Sequence, residues 1–146
     1  MKYSILIFLV SLMLTLLASQ CNYKDTEDCH KSITIANNSD YELYMTISST
    51  YPDSLCSICF GSNDPSSNPP TPPHTMSKYY VLRPGNCLER RIGLTNEQGI
   101  WMFFLFDNQV IQTVPWDTIV KYRMYLRKYD MTVDDLRNSN WTITYP

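Results

Sequence analysis

The run Ile100-Trp101-Met102-Phe103-Phe104-Leu105-Phe106 limits the possible folds more than any other stretch of the chain. Every position is apolar, so a strand here is buried on both faces, and seven residues are few for a helix. A strand of this kind needs cover on each side, which points to layered architecture rather than an open sheet. The stretch from Trp101 to Pro146 also holds all three tryptophans and three of the five phenylalanines, so the interior should be built largely from it.

The residues after this run give the C-terminal elements. Asp107-Asn108 suits a two-residue turn, because both side chains tolerate the left-handed backbone of tight hairpins, and Gln109–Val114 would return as the partner strand. Pro115 suits a first helical position with Val114 at the cap, and Asp117 is favourable in the first turn. Ile119, Tyr122, Leu126 and Tyr129 recur at spacings of three and four and predict one apolar helical face. Lys121, Arg123, Arg127 and Lys128 crowd the second half of that helix, where cations favour its negative end. Thr132 and Asp135 form a capping pair for a second, short helix, with Met131 and Leu136 at the staple positions. Asn138-Ser139-Asn140 ends it, and Trp141–Tyr145 alternates as a closing strand.

Upstream, Ser32–Asn37 and Tyr41–Ser48 alternate as strands, and the turn-forming Asn37-Asn38-Ser39-Asp40 between them predicts a hairpin. From Tyr51 to Ser77 the composition shifts to Pro, Ser, Asn and Asp, and proline excludes a helix or central strand there. A surface loop with polyproline character is expected, centred on residues 56–77. Tyr79–Arg83 and Cys87–Leu94 flank Pro84-Gly85-Asn86 and read as a further hairpin.

The beginning of the chain bears on location. Lys2 followed by the apolar stretch Ile5–Leu17 has the length of a secretory signal, and Leu17-Ala18-Ser19-Gln20-Cys21 resembles a bacterial lipoprotein box. That resemblance implies a diacylglycerol on the Cys21 thiol and cleavage just before it. An ordinary signal cleaved after Ser19 or Gln20 is the alternative. Residues 1–20 then lie outside the fold, residues 21–30 form a tether, and residues 31–146 form one domain. Lys24-Asp25-Thr26-Glu27-Asp28 looks like the Lys-plus-acidic signals that send lipoproteins to the outer surface in Bacteroidetes-type bacteria, or else serves as a solvated linker. Cleavage leaves 126 residues, enough for one core, with 11 basic against 14 acidic residues. No basic block or aromatic-interleaved basic stripe points to nucleic acid.

Four cysteines besides Cys21 remain: Cys29, Cys56, Cys59 and Cys87. An even number in an exported chain favours two disulfides in one of three pairings, with Cys29–Cys87 and Cys56–Cys59 preferred. A Cys₃His zinc or thiol site at Cys56, Cys59, His74 and Cys87 is the enzymatic alternative, disfavoured because oxidising surroundings favour disulfides. His30 and His74 sit in no hydrolase motif, and read as a strand-start and a loop residue. Asp134 and Asp135 read as first-turn charges rather than an acid pair. Tyr44, Tyr79 and Tyr80 are the candidate exposed binding aromatics. Asn37-Asn38-Ser39 and Asn140-Trp141-Thr142 match glycosylation patterns that matter only in a eukaryotic source.

Pro115-Trp116-Asp117, Tyr125–Asp130, Asp135-Leu136 and Asn140–Pro146 together resemble a family of small cell-envelope lipoproteins of gut Bacteroidetes-type bacteria, to which no activity is attached. The likeness is strongest over residues 101–146. The expectation is therefore a mainly β, α+β domain. Six or seven mostly antiparallel strands would form a sandwich, with one or two C-terminal helices. It would be lipid-anchored in the cell envelope, on the outer membrane, facing either the surface or the periplasm. A protein or glycan would be its partner, and it would need no cofactor, bound metal or catalysis.

Overall fold

The computed structural model describes residues 25–27, 29–51, 69–81, 86–95 and 97–146. It is a mixed α+β fold in which six strands form two three-stranded sheets, with four helices among the described residues. In chain order the elements are β1 (Ser32–Asn37), β2 (Leu43–Ser48), β3 (Thr75–Tyr80), α1 (Leu88–Thr95), β4 (Trp101–Asp107), α2 (Asn108–Thr113), α3 (Trp116–Tyr122), β5 (Arg127–Met131), α4 (Val133–Asn138) and β6 (Thr142–Tyr145). One sheet has the order β3-β1-β6 and the other β2-β4-β5. All pairings are antiparallel except that of β1 with β6.

β4 contains the all-apolar run, and it is buried from Trp101 through Phe106. Its inner side chains, Trp101, Phe103 and Leu105, join Ile33 and Ile35 of β1 and Ile143 of β6 in a core shared by the two sheets. Leu88 and Ile92 of α1 and Leu136 of α4 close this core. The other face of β4, Met102, Phe104 and Phe106, joins Tyr44 and Ile119 in a second core. Val110, Ile111 and Val114, around α2, and Trp116 at the start of α3 cover it. The strand is thus central to a sandwich on one side and lies under helices on the other.

Several elements differ from the sequence expectation. β1 and β2 are strands, but they do not pair with each other, and the segment between them crosses from one sheet to the other. The reason is Asn37, which is fully buried. Its Nδ2 donates to the carbonyls of Tyr41 at 2.7 Å, Pro72 at 3.0 Å and Thr71 at 3.2 Å, while its Oδ1 accepts from the Ser39 amide at 3.0 Å. The amide ties the crossover to the Leu43–Thr71 bridge, and its burial leaves no room for a glycan.

Asp107-Asn108 does not make a hairpin turn either. The Asp107 carboxylate accepts from the Gln109 amide at 2.8 Å and caps α2, so Gln109–Val114 does not return as a strand. The same short polar side chain serves turns and helix caps, which is why the two readings compete. Cys87–Leu94 is likewise helical, from Leu88 onward, with Leu88 and Ile92 four residues apart and both buried.

The helix after Pro115 begins at Trp116, one residue later than expected, and stops at Tyr122 instead of running to Tyr129. Arg123 adopts the left-handed conformation, φ 51°, its amide bonding to Val120 and that of Met124 to Ile119. This double closure is a Schellman-type end. Residues 127–131 then pair with β4, because the buried strand needs a backbone partner along its second edge. Tertiary pairing outweighs the helical spacing of Ile119, Tyr122, Leu126 and Tyr129.

α4 follows the expected design. Thr132 accepts from the Asp135 amide and the Asp135 carboxylate accepts from the Thr132 amide, the two halves of a capping box. Its end is a second Schellman closure, with Asn140 amide to Arg137 carbonyl at 2.9 Å and Trp141 amide to Leu136 carbonyl at 2.7 Å. Asn140 and Trp141 both have positive φ, 51° and 55°, and burial of Trp141 beside Leu136 offsets that strain. β3 begins at Thr75, inside the stretch expected to be loop.

Candidate functional site

The densest set of chemically capable groups lies where the chain enters β1. Asp25 precedes the strand and its carboxylate accepts from the Lys31 amide at 2.7 Å, the Ser32 hydroxyl at 2.5 Å and the Lys78 ammonium at 2.9 Å. Burial acts to raise its pKa, but these donors outweigh burial and hold it at about 2. Thr26 and Cys29 exchange backbone hydrogen bonds, making a tight turn. Cys29 is disulfide-bonded to Cys87 at a Cα separation of 4.9 Å. Asp25 and Cys29, within the stretch expected to be a tether, are thus bonded to the domain.

His30 is not the exposed strand-start residue that its neighbours suggest. Its ring stacks on Trp141 at 4.1 Å with the planes 14° apart. Its Nδ1 lies 2.6 Å from the Glu89 carboxylate, which also accepts from the His30 amide. The His30 carbonyl in turn accepts from the Leu88 amide at 2.7 Å. Burial pushes the Glu89 pKa up, but hydrogen bonds from His30 prevail and it stays below the ordinary glutamate range. The Cys29–Cys87 bond brings Glu89 to this place, since it sits two residues beyond Cys87 in the first turn of α1. A carboxylate on one ring nitrogen orients an imidazole as it would in an acid–base pair. The bonds and the stack together clasp three distant parts of the chain, the entry to β1, the start of α1 and Trp141.

The other sequence candidates fall elsewhere. Cys87 is committed to Cys29, and His74 is on the surface with its Nε2 3.0 Å from Asp40, so these two do not share a site. Cys21, Cys56 and Cys59 lie outside the described residues, as do the leader and most of the Pro-rich loop. No group of three or more His, Cys, Asp or Glu is placed to hold a metal among the described residues. No helix among them is long and apolar enough to cross a membrane. Tyr44 and Tyr79 are buried, 2% and 4% exposed, and cannot be contact aromatics. Tyr79 reaches Thr71 Oγ1 at 3.1 Å and donates to the Pro69 carbonyl at 3.2 Å, and burial pushes its hydroxyl pKa up. Asp134 pairs with Arg137 and Asp135 caps α4, the roles their first-turn positions imply.

Among the described residues the exposed large apolar side chains are Tyr41, Met76, Tyr122, Met124 and Leu126, and the last three cluster in sequence from the end of α3, where Tyr122 is 65% exposed, to the start of β5. These three alternate with cations, Lys121, Arg123 and Arg127, and no acid occurs from Thr118 to Tyr129. Lys121 lies over the Tyr122 ring at 5.3 Å and Arg127 over Tyr129 at 5.1 Å. This run is at the end of β4 nearest Leu43 and Asn37, because the Leu126 amide bonds to the Leu105 carbonyl and Leu43 pairs with Asp107. The clasp lies at the other end of β1, around Ser32. The sequence showed the cations and aromatics, but the expected helix assigned half of them to a packed face.

No protein-family model, curated protein or solved structure matches this chain. Its class is set by its own architecture: two three-stranded sheets, a clasped entry and an apolar-basic run at the opposite end of the strands.

Proposed function

We propose that the chain is a lipid-anchored cell-envelope protein, held on the outer membrane through Cys21, that acts by contact rather than turnover. Exposure of Tyr122, Met124 and Leu126 among Lys121, Arg123 and Arg127 carries the contact reading. Tyr, Met and Arg are the residue types that protein interfaces gather, and exposed apolar groups of this kind mark such surfaces. The Cys29–Cys87 disulfide supports export, since such bonds persist in oxidising compartments. The leader, the lipoprotein-like Cys21 context and the resemblance to Bacteroidetes-type envelope lipoproteins supply the anchor. Only Asn22, Tyr23 and Lys24 separate Cys21 from Asp25, so a lipid there would hold the clasped end within about 15 Å of the bilayer.

Metabolic labelling with an alkyne fatty acid, compared between the native chain and Cys21→Ala, tests the anchor. Label on the native chain that the substitution abolishes supports it, and equal or absent labelling removes it. Surface proteolysis of intact cells then separates the outward from the periplasmic orientation.

A further inference from the structure

We propose that β5 is the docking edge for a second copy of this chain, paired antiparallel about Tyr129. Among the described residues β5 is the terminal strand of its sheet and pairs only with β4. Its other edge makes no backbone hydrogen bond among the described residues. Unpaired donors and acceptors along a strand form a template for another strand. Natural edges are protected when pairing would set like charges opposite one another. Here the reverse holds.

The strand reads Arg127-Lys128-Tyr129-Asp130-Met131. Turned about Tyr129, Lys128 of each copy faces Asp130 of the other, Arg127 faces Met131, and no like charges meet. Lys128 and Asp130 already share a face of the strand, with Nζ 3.0 Å from Oδ1. Pairing would therefore bring four charges together in alternating sign. The contact is isologous and closes on two copies, giving a six-stranded sheet in the order β2-β4-β5-β5-β4-β2. Met124 and Leu126, both exposed, immediately precede this edge. The twofold axis is perpendicular to the sheet, so two lipid tethers would reach one bilayer when the sandwich lies along it.

This inference gives the contact surface a partner but does not depend on the anchor, so it is tested without one. Every residue of both cores lies between Ile33 and Tyr145, so a chain beginning at residue 21 keeps them all. Sedimentation equilibrium of that chain, carrying Cys21→Ser, is expected to show a monomer–dimer equilibrium. Lys128→Asp and Asp130→Lys should each weaken the dimer by about tenfold or more, because each sets like charges opposite one another twice. The double variant, Lys128→Asp with Asp130→Lys, restores opposite charges and should recover the dimer. A monomer at all concentrations overturns the proposal, as does a dimer indifferent to the single reversals or one the double variant fails to restore. Circular dichroism of each variant confirms that the fold is retained before the comparison is made.

Discussion

The two ends of the sandwich are closed by different means. Around Ser32 the closure is covalent and charged: Cys29 to Cys87, Asp25 to Lys78, and His30 between Glu89 and Trp141. Around Asn37 a single uncharged amide holds three carbonyls, and the neighbouring run from Tyr122 to Leu126 leaves apolar side chains in solvent. Redox state and the titration of Asp25 should therefore act on the first end, while at the second the ion pair of His74 with Asp40 is exposed at the surface. The first end suits a point of attachment and the second a point of contact.

The largest effect should come from the disulfide. It closes a separation of 58 residues, for which chain entropy gives about 4 kcal/mol, so Cys29→Ser with Cys87→Ser should lower the urea-unfolding free energy by about 2–5 kcal/mol. Next is Asn37→Ala, expected to cost about 3 kcal/mol by emptying a buried site and removing the hydrogen bonds to the Tyr41, Thr71 and Pro72 carbonyls. That loss should be the same at pH 7 and pH 3, which sharpens the contrast between the ends; a pH-dependent loss would break it.

Asp25→Asn should cost about 1 kcal/mol at pH 7. The sign follows from the depressed pKa: the folded protein holds this carboxylate ionised where the unfolded chain would protonate it. Its stabilisation is full above the ordinary aspartate range and is lost as pH falls from about 4 toward about 2. Stability measured across that window should fall less steeply in the variant than in the native chain. The smallest effect should be that of Tyr122→Ser or Arg123→Gly, within about 0.5 kcal/mol of native in the same unfolding assay. Arg123→Gly tests the left-handed helix end as well, since glycine adopts that conformation without cost.

Much of this fold was legible in the residues. The all-apolar run of β4 required cover on two faces and has it. Thr132 and Asp135 announced α4, whose box closes as their spacing implies. Cys29–Cys87 was the preferred pairing of that cysteine, and it forms. What escaped were choices made by distant partners. Nothing near Asn37 says that its amide will reach Thr71 and Pro72, so the local turn chemistry suggested a hairpin. Nothing near Tyr122 says that Arg127–Met131 is claimed by β4. The clasp is similar: His30, Glu89 and Trp141 lie far apart in sequence and become neighbours only once the disulfide and β6 are in place. The Leu88–Ile92 spacing was the one visible sign that α1 is a helix and not a strand.

The most direct measurement is the intact mass of the N-terminal proteolytic fragments of the protein extracted from its own cells without reduction. The expected result is a chain that begins at Cys21, heavier by a thioether-linked diacylglycerol, with the fragments bearing Cys29 and Cys87 joined. A chain that retains Met1, or has an unmodified Cys21 and free thiols at Cys29 and Cys87, would contradict it.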